Sequence, residues 1–274
     1  MLNPICSSTC KVIINQRNLK VEIYGPDSGA RMVLLHHGLG STRAWKAQIT
    51  TFVDAGFQVM AYDRWGYGGS DPRPALDVPS FNTDLADLSV LVDQYQNIIL
   101  VGHSDGGTLA LYYAAQFPRR VVALVTVAAH IYVEPKMLPG IEAVQYAFAH
   151  DKHFHEGLHR MHGEKTDSVF NNWYSGWHKS DNLSWDMRPL LGKINCPALI
   201  IQGLEDEHAT PEHARDIAAA IPNARLWLVE GAGHMFPQQK PEMFNHAITS
   251  FLQNNVIYPA DKEHPASKHD MEMG

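Results

Sequence analysis

A mainly parallel α/β sheet, covered by helices on both faces and interrupted by a helical insertion, is the fold class the sequence predicts. Three observations predict it. Short β-branched and apolar runs alternate with longer amphipathic stretches. Those runs are near-continuously apolar rather than alternating. The rhythm also breaks once, over residues 132–188, before it resumes. An apolar run without polar alternation marks a strand buried on both faces, the condition of a parallel sheet whose crossovers are helices.

The elements follow in order. "KVIIN" and "LKVEIYG" read as an opening hairpin, and "RMVLLHHG" as a buried strand. "STRAWKAQITTFVDAG" is a helix with Ser41 or Thr42 as cap and Gly56 as stop. The strand "FQVMAYD" precedes a glycine-rich loop, "RWGYGGSDPRP", and then a helix, "SFNTDLADLSVLVDQY". "NIILVGHS" is a strand, "GGTLALYYAAQF" a helix closed by Pro118, and "VVALVTVAAH" a strand again. After the insertion, "CPALIIQG", "TPEHARDIAAAIP", "ARLWLVEG" and "KPEMFNHAITSFLQNN" restore strand, helix, strand and helix. The core is thus expected over residues 1–131 and 189–256 and the insertion over 132–188. A polar, flexible tail is expected at 257–274.

Composition narrows the function classes. The chain has 274 residues, 45% hydrophobic and 19% charged, enough to bury a sizeable core. A net charge of -7 without a long basic run argues against a nucleic-acid partner. Cys6, Cys10 and Cys196 make neither a disulfide framework nor a complete metal-ligand set, so free thiols in a reducing compartment are expected. No secretory leader and no run of transmembrane length is evident; the expectation is a soluble cytoplasmic protein without a membrane partner. Oligomeric state is left open.

"LVGHSDGGTL" carries the chemistry. Ser104 lies between a strand and a helix, flanked by Gly102 and Gly106. On such a sharp turn the neighbours must be small, the hydroxyl points out of the sheet, and the helix N-terminus faces the site where an oxyanion would form. A serine nucleophile needs a base. His234, in "VEGAGHMF" after the last strand, stands at the carboxyl end of the sheet where ligands bind, with His208 as the alternative. Asp206, in "LEDEHATP", is the candidate carboxylate to orient the base, with Glu205 second. The oxyanion donors are expected to be the backbone N–H groups of Asp105 and of Leu39, in "HHGLG". His37 is expected to shape that loop and Arg64 to be structural, while Trp65 and Tyr67 are candidates for the pocket edge.

Taken together, "HHGLGS", "YDRWGYGGSD", "GHSDGG", "QGLEDEHATP" and "GAGHMFPQQKPE", in this order, resemble the α/β-hydrolase superfamily in its lidded, esterase-like branch. The resemblance covers about residues 12–131 and 189–254. It implies eight mainly parallel strands, a helical cap, no metal and no organic cofactor. It also implies acyl-enzyme chemistry with Ser104 as nucleophile, His234 as general base and acid, and Asp206 orienting the imidazole. Relatives that use an aspartate at the elbow are excluded by Ser104. Asp105 departs from the methionine or glutamine frequent at its position, and its carboxylate has no assigned role.

Specificity is expected from the insertion. Trp173 and Trp177, four apart on one helix face, with Met137 and Met235, are the candidate substrate-binding residues. Phe170, Tyr174 and Trp185 join them as an aromatic group, and Leu138, Phe148 and Met161 as flexible lining. His155, His159 and His162 would share a helix face at a spacing compatible with a metal, but hydrogen bonding to neighbouring acids is the expected role. The leading expectation is a serine carboxylesterase for a small to medium, uncharged ester substrate. A carbon–carbon or lactone hydrolase with the same three residues is the alternative. A ligand receptor on a hydrolase fold is the alternative of another class.

Overall fold

The computed structural model describes residues 6–255. Eight strands form one sheet: β1 (Cys6–Ile14), β2 (Arg17–Tyr24), β3 (Ala30–Leu35), β4 (Phe57–Tyr62), β5 (Ile98–His103), β6 (Val121–Val127), β7 (Ala198–Gly203) and β8 (Ala224–Val229). Among the described residues the helices are α1 (Lys46–Asp54), α2 (Asn82–Leu91), α3 (Asp105–Gln116), α4 (Met137–His150), α5 (Lys152–His162), α6 (Thr166–Trp177), α7 (Arg188–Leu191), α8 (Glu212–Ala220), α9 (Phe236–Gln239) and α10 (Pro241–Asn255). The sheet order is β1-β2-β4-β3-β5-β6-β7-β8. Strand β2 runs antiparallel to both neighbours, and all pairings from β4 to β8 are parallel.

Burial on both faces explains the uninterrupted apolar runs. On β3, Val33 and Leu35 enter one core while Met32 and Leu34 enter the other; Ile98 and Leu100 divide from Ile99 and Val101 in the same way on β5. Leu88 of α2, Leu109 of α3 and Ile217 of α8 close the first core. Phe52 of α1 and Phe244 and Ile248 of α10 close the second.

The local signals decide most boundaries. Asn15 and Gln16 both take positive φ, 47° and 67°, and turn the opening hairpin in two residues. Ser41 is the cap: its Oγ accepts from Arg43 N–H at 3.3 Å, and a 3₁₀ turn over Thr42–Trp45 leads into α1. Gly56, at φ 88°, stops it. Helix α2 is shorter than predicted, because Phe81 adopts a left-handed conformation before it and an Asp77 carboxylate oxygen accepts from Thr83 N–H at 2.7 Å.

The chain passes from β3 outward to β4 and returns across β3 to β5, so the strand order reverses between β3 and β5. Ligands of open α/β sheets bind at such a reversal, beyond the carboxyl ends of the strands. The loops that leave β3 and β5 there are "HHGLG" and the Ser104 turn.

Helices α4, α5 and α6 leave the sheet between β6 and β7. They depart and return at one neck, where Tyr132 bridges Asp186 and Met187 N–H donates to the Ile131 carbonyl at 2.9 Å. Helix α7 packs back on α3 and α8, with Leu191 fully buried. The expected tail at 257–274 lies outside the described residues. No helix among the described residues is long and apolar enough to cross a membrane.

Below the insertion, Arg64, Arg73 and Asp84 form a buried charge cluster. Arg73 Nη1 donates to Asp84 Oδ2 at 2.7 Å, Arg64 Nη1 lies 3.6 Å from Asp84 Oδ1, and Asp77 pairs with Arg73. Removing one partner of a buried pair strands the other charge. Asp84→Ala is therefore expected to lower unfolding free energy by about 3–5 kcal/mol, read as a lower urea midpoint at unchanged slope.

Candidate active site

Ser104 sits between β5 and α3 with φ 54° and ψ -121°, a backbone conformation that L side chains rarely adopt. Two backbone bonds hold it there: its N–H donates to the Val127 carbonyl at 2.9 Å, and its carbonyl accepts from Thr108 N–H at 3.0 Å. A Cβ on Gly102 would collide with the Gly106 carbonyl, and one on Gly106 with the Leu35 carbonyl. Close packing of α3 on β5 and β3 is thus the reason for both glycines.

His234 lies beyond β8. Its Nε2 is 3.0 Å from Ser104 Oγ, and its Nδ1 is 2.9 Å from Asp206 Oδ2. An acceptor-only carboxylate at Nδ1 places the proton there and leaves Nε2 free to accept from the serine hydroxyl. The His234 backbone is fixed at both ends: its N–H donates to Glu207 Oε2 at 3.0 Å, and its carbonyl accepts from His103 Nε2–H at 2.9 Å. Burial pushes the His234 imidazole down, but the Asp206 carboxylate, with Glu207 and Asp105 behind it, outweighs burial and holds it above its ordinary value.

Asp206 is buried and saturated with donors. Gln202 Nε2 donates to Oδ2 at 2.7 Å, and the backbone N–H groups of His208 and Ala209 donate to Oδ1 at 2.8 and 3.2 Å. Burial alone would raise its carboxyl; His234 and these N–H groups hold it well below the usual carboxylate range. Glu205 is exposed and takes no part, as Asp206 occupies the place beside His234. His208, the alternative base, packs edge-on to His234 at 4.7 Å, and burial and the His234 charge lower its pKa to about 4.

A cavity of about 470 Å³ opens above Ser104. Its floor holds Ser104, His234, Leu39 and Asp105, and helices α4, α5 and α6 supply its apolar wall. Met137, Trp173, Trp177 and Met235 all line it, as does Met161. Leu138 and Phe148 do not: Phe148 instead stacks on Phe170, with ring centroids 3.8 Å apart. Trp65 and Tyr67 also lie away from it. Trp65 Nε1–H donates to the Pro72 carbonyl and Tyr67 is buried against Arg64, because both rings are spent on the charge cluster.

The histidines of α5 are not gathered. His155 faces Asp167 at 3.5 Å, whereas His162 is turned into the protein and buried. Sequence reasoning missed Ile141, Val144, Phe154 and Leu158 as lining. A signal existed: Phe154, Leu158 and His162 recur every fourth residue and mark the inward stripe of α5, which sets His162 apart from His155 and His159. Asp105, whose carboxylate the sequence left without a role, pairs with Arg64 at 3.5 Å and accepts from Trp177 Nε1–H at 3.2 Å. Burial pushes this carboxyl up and Arg64 opposes it.

Comparison with known proteins places this geometry in a family. The model of the "Alpha/beta hydrolase family" matches residues 33–247. Serine hydrolase BPHL of Homo sapiens is 29% identical over 90% of this chain and 87% of its own. The 2-hydroxy-6-oxo-6-phenylhexa-2,4-dienoate hydrolase of Comamonas testosteroni is 24% identical over 82% of this chain and 88% of its own. Among solved structures, the enol-lactonase from Burkholderia xenovorans LB400 superposes with a TM-score of 0.72 at 22% identity, over 89% of this chain and 100% of that one. With eight strands in this order, helices on both faces and a family match over most of its length, the chain belongs to the alpha/beta hydrolase family.

Proposed function

We propose that the protein is a serine hydrolase that cleaves carboxylic esters of small to medium, uncharged substrates through an acyl-enzyme. The observation that carries this reading is the Ser104–His234–Asp206 chain of contacts, 3.0 and 2.9 Å, at the floor of an apolar cavity. Ser104 Oγ attacks the ester carbonyl while His234 Nε2 takes its proton; the oxyanion is met by the N–H groups of Leu39 and Asp105. His234 then returns the proton to the departing alcohol. Water, activated by the same imidazole, attacks the acyl-enzyme carbonyl and releases the acid and free Ser104.

The wall favours an uncharged substrate. The carboxylate of Asp105 is turned to Arg64 and Trp177 Nε1–H, and Arg64 is buried and also engaged with Asp84. Arg43, the guanidinium among the cavity's lining residues, is exposed and donates to the Arg160 carbonyl at 2.6 Å. An anionic acid such as a dienoate would have to leave water for a wall of Met, Ile, Val, Leu and Trp side chains.

Turnover of p-nitrophenyl esters from acetate to palmitate, by wild type and Ser104→Ala in parallel, tests the reading. Multiple turnovers that depend on Ser104 are expected; a slow single acylation without turnover would favour a receptor instead. Chain-length preference should follow the α5 wall. Leu158→Trp is expected to move the optimum to shorter acyl chains while acetate turnover stays near wild type, and an unmoved optimum would place the acyl chain elsewhere.

A further inference from the structure

His162 ends α5 with its ring inserted between two loops at the carboxyl edge of the sheet, and only 4% of it is exposed. Two hydrogen bonds hold the ring. Gly68 N–H donates to Nδ1 at 3.0 Å, and Nε2–H donates to the Leu39 carbonyl at 3.0 Å. A backbone N–H only donates and a carbonyl only accepts, so this ring is neutral with its proton on Nε2. Burial holds its pKa below the ordinary value; Lys165 and Asp63 act on it in opposite senses, and Tyr67 packs edge-on at 6.1 Å.

The turn that contains Leu39 is held on its other side as well. The His37 carbonyl accepts from Gly40 N–H at 3.0 Å, from His36 Nδ1–H at 2.8 Å and from Arg64 Nη2 at 3.5 Å. Trp173 of α6 packs on the Gly38 face so closely that a Cβ there would collide with its indole. Two helices of the insertion therefore reach this turn, one at Gly38 and one at Leu39.

We infer that His162 is a positioning residue: through the Leu39 carbonyl it fixes the turn that aims Leu39 N–H at the substrate oxygen, so the insertion completes the oxyanion site as well as covering it. The inference rests on the proposed role of Leu39 as oxyanion donor.

Paired substitutions separate the two bonds. In His162→Gln the amide nitrogen reaches the place of Nε2 and keeps the donation to Leu39. In His162→Asn the amide oxygen reaches the place of Nδ1, keeps the bond from Gly68 and loses the one to Leu39. His162→Asn is expected to lower kcat on the order of 10²-fold, as a misplaced catalytic group does, with KM little changed, while His162→Gln keeps most of the wild-type kcat. An unchanged kcat in His162→Asn, or equal losses in both variants, would overturn the inference. Should either variant fail to fold, histidine-selective ¹⁵N spectra of the wild type decide. A His162 Nε2 resonance that shifts when a trifluoromethyl ketone forms its adduct on Ser104 supports the coupling, and one that stays still overturns it. Wild-type turnover that survives Ser104→Ala would remove the serine-nucleophile reading itself, and this inference with it.

Discussion

Ser104→Ala is expected to lower kcat for a good ester substrate by about 10⁶-fold, the loss seen when the nucleophile of such a triad is removed. The size follows from the geometry. Ser104 Oγ is the group that contacts His234 Nε2, so without it the imidazole has no nucleophile to activate. KM should change little, because the cavity wall from α4, α5 and α6 is untouched. A fluorophosphonate should label the wild type and leave the variant unlabelled. A loss of tenfold or less in kcat would remove Ser104 from the reaction.

Asp206→Asn is expected to lower kcat on the order of 10⁴-fold and to move the acid limb of the pH profile. An asparagine amide facing Nδ1 favours the wrong imidazole tautomer, with the proton on the nitrogen that should accept from Ser104. The sign of the pH effect follows from the raised pKa of His234. The base works when neutral, so kcat/KM rises with pH through that pKa and is lost as pH falls below it. In the wild type the limb should lie above the ordinary imidazole value of about 6.5. Removing the Asp206 charge leaves burial less opposed, so the residual activity should titrate at lower pH. Glu207→Gln, which removes a weaker raising influence, should shift the limb in the same direction by less. A limb that stays in place in Asp206→Asn would detach this carboxylate from His234.

Much of this was legible because the relevant signals are local. An apolar run such as "IILVG" reports two-sided burial by itself, and a serine between glycines at a strand–helix junction reports the turn. Order along the chain then placed Asp206 and His234 on loops at the same end of the sheet. Contacts between distant segments were not legible. Arg64 meets Asp105 across 41 residues, and His162 meets Leu39 across 123, with nothing in either neighbourhood that names the partner. Phe148 and Trp65 show the complementary error: residue type suggested pocket lining, whereas stacking on Phe170 and a bond to Pro72 decided their positions. An aromatic ring reports that something will be covered, not what.

The left-handed backbone at Ser104 has a consequence for how this protein can change over time. Glycine is the residue that relaxes such a conformation, and strain of this kind costs about 1–3 kcal/mol. No coded amino acid joins glycine's freedom at φ 54° to a hydroxyl on Cβ. At position 104 thermal robustness and reactivity therefore pull in opposite directions. Selection for a tougher protein must act elsewhere in the sheet and helices, and drift toward glycine here would leave a more durable fold that had given up its chemistry.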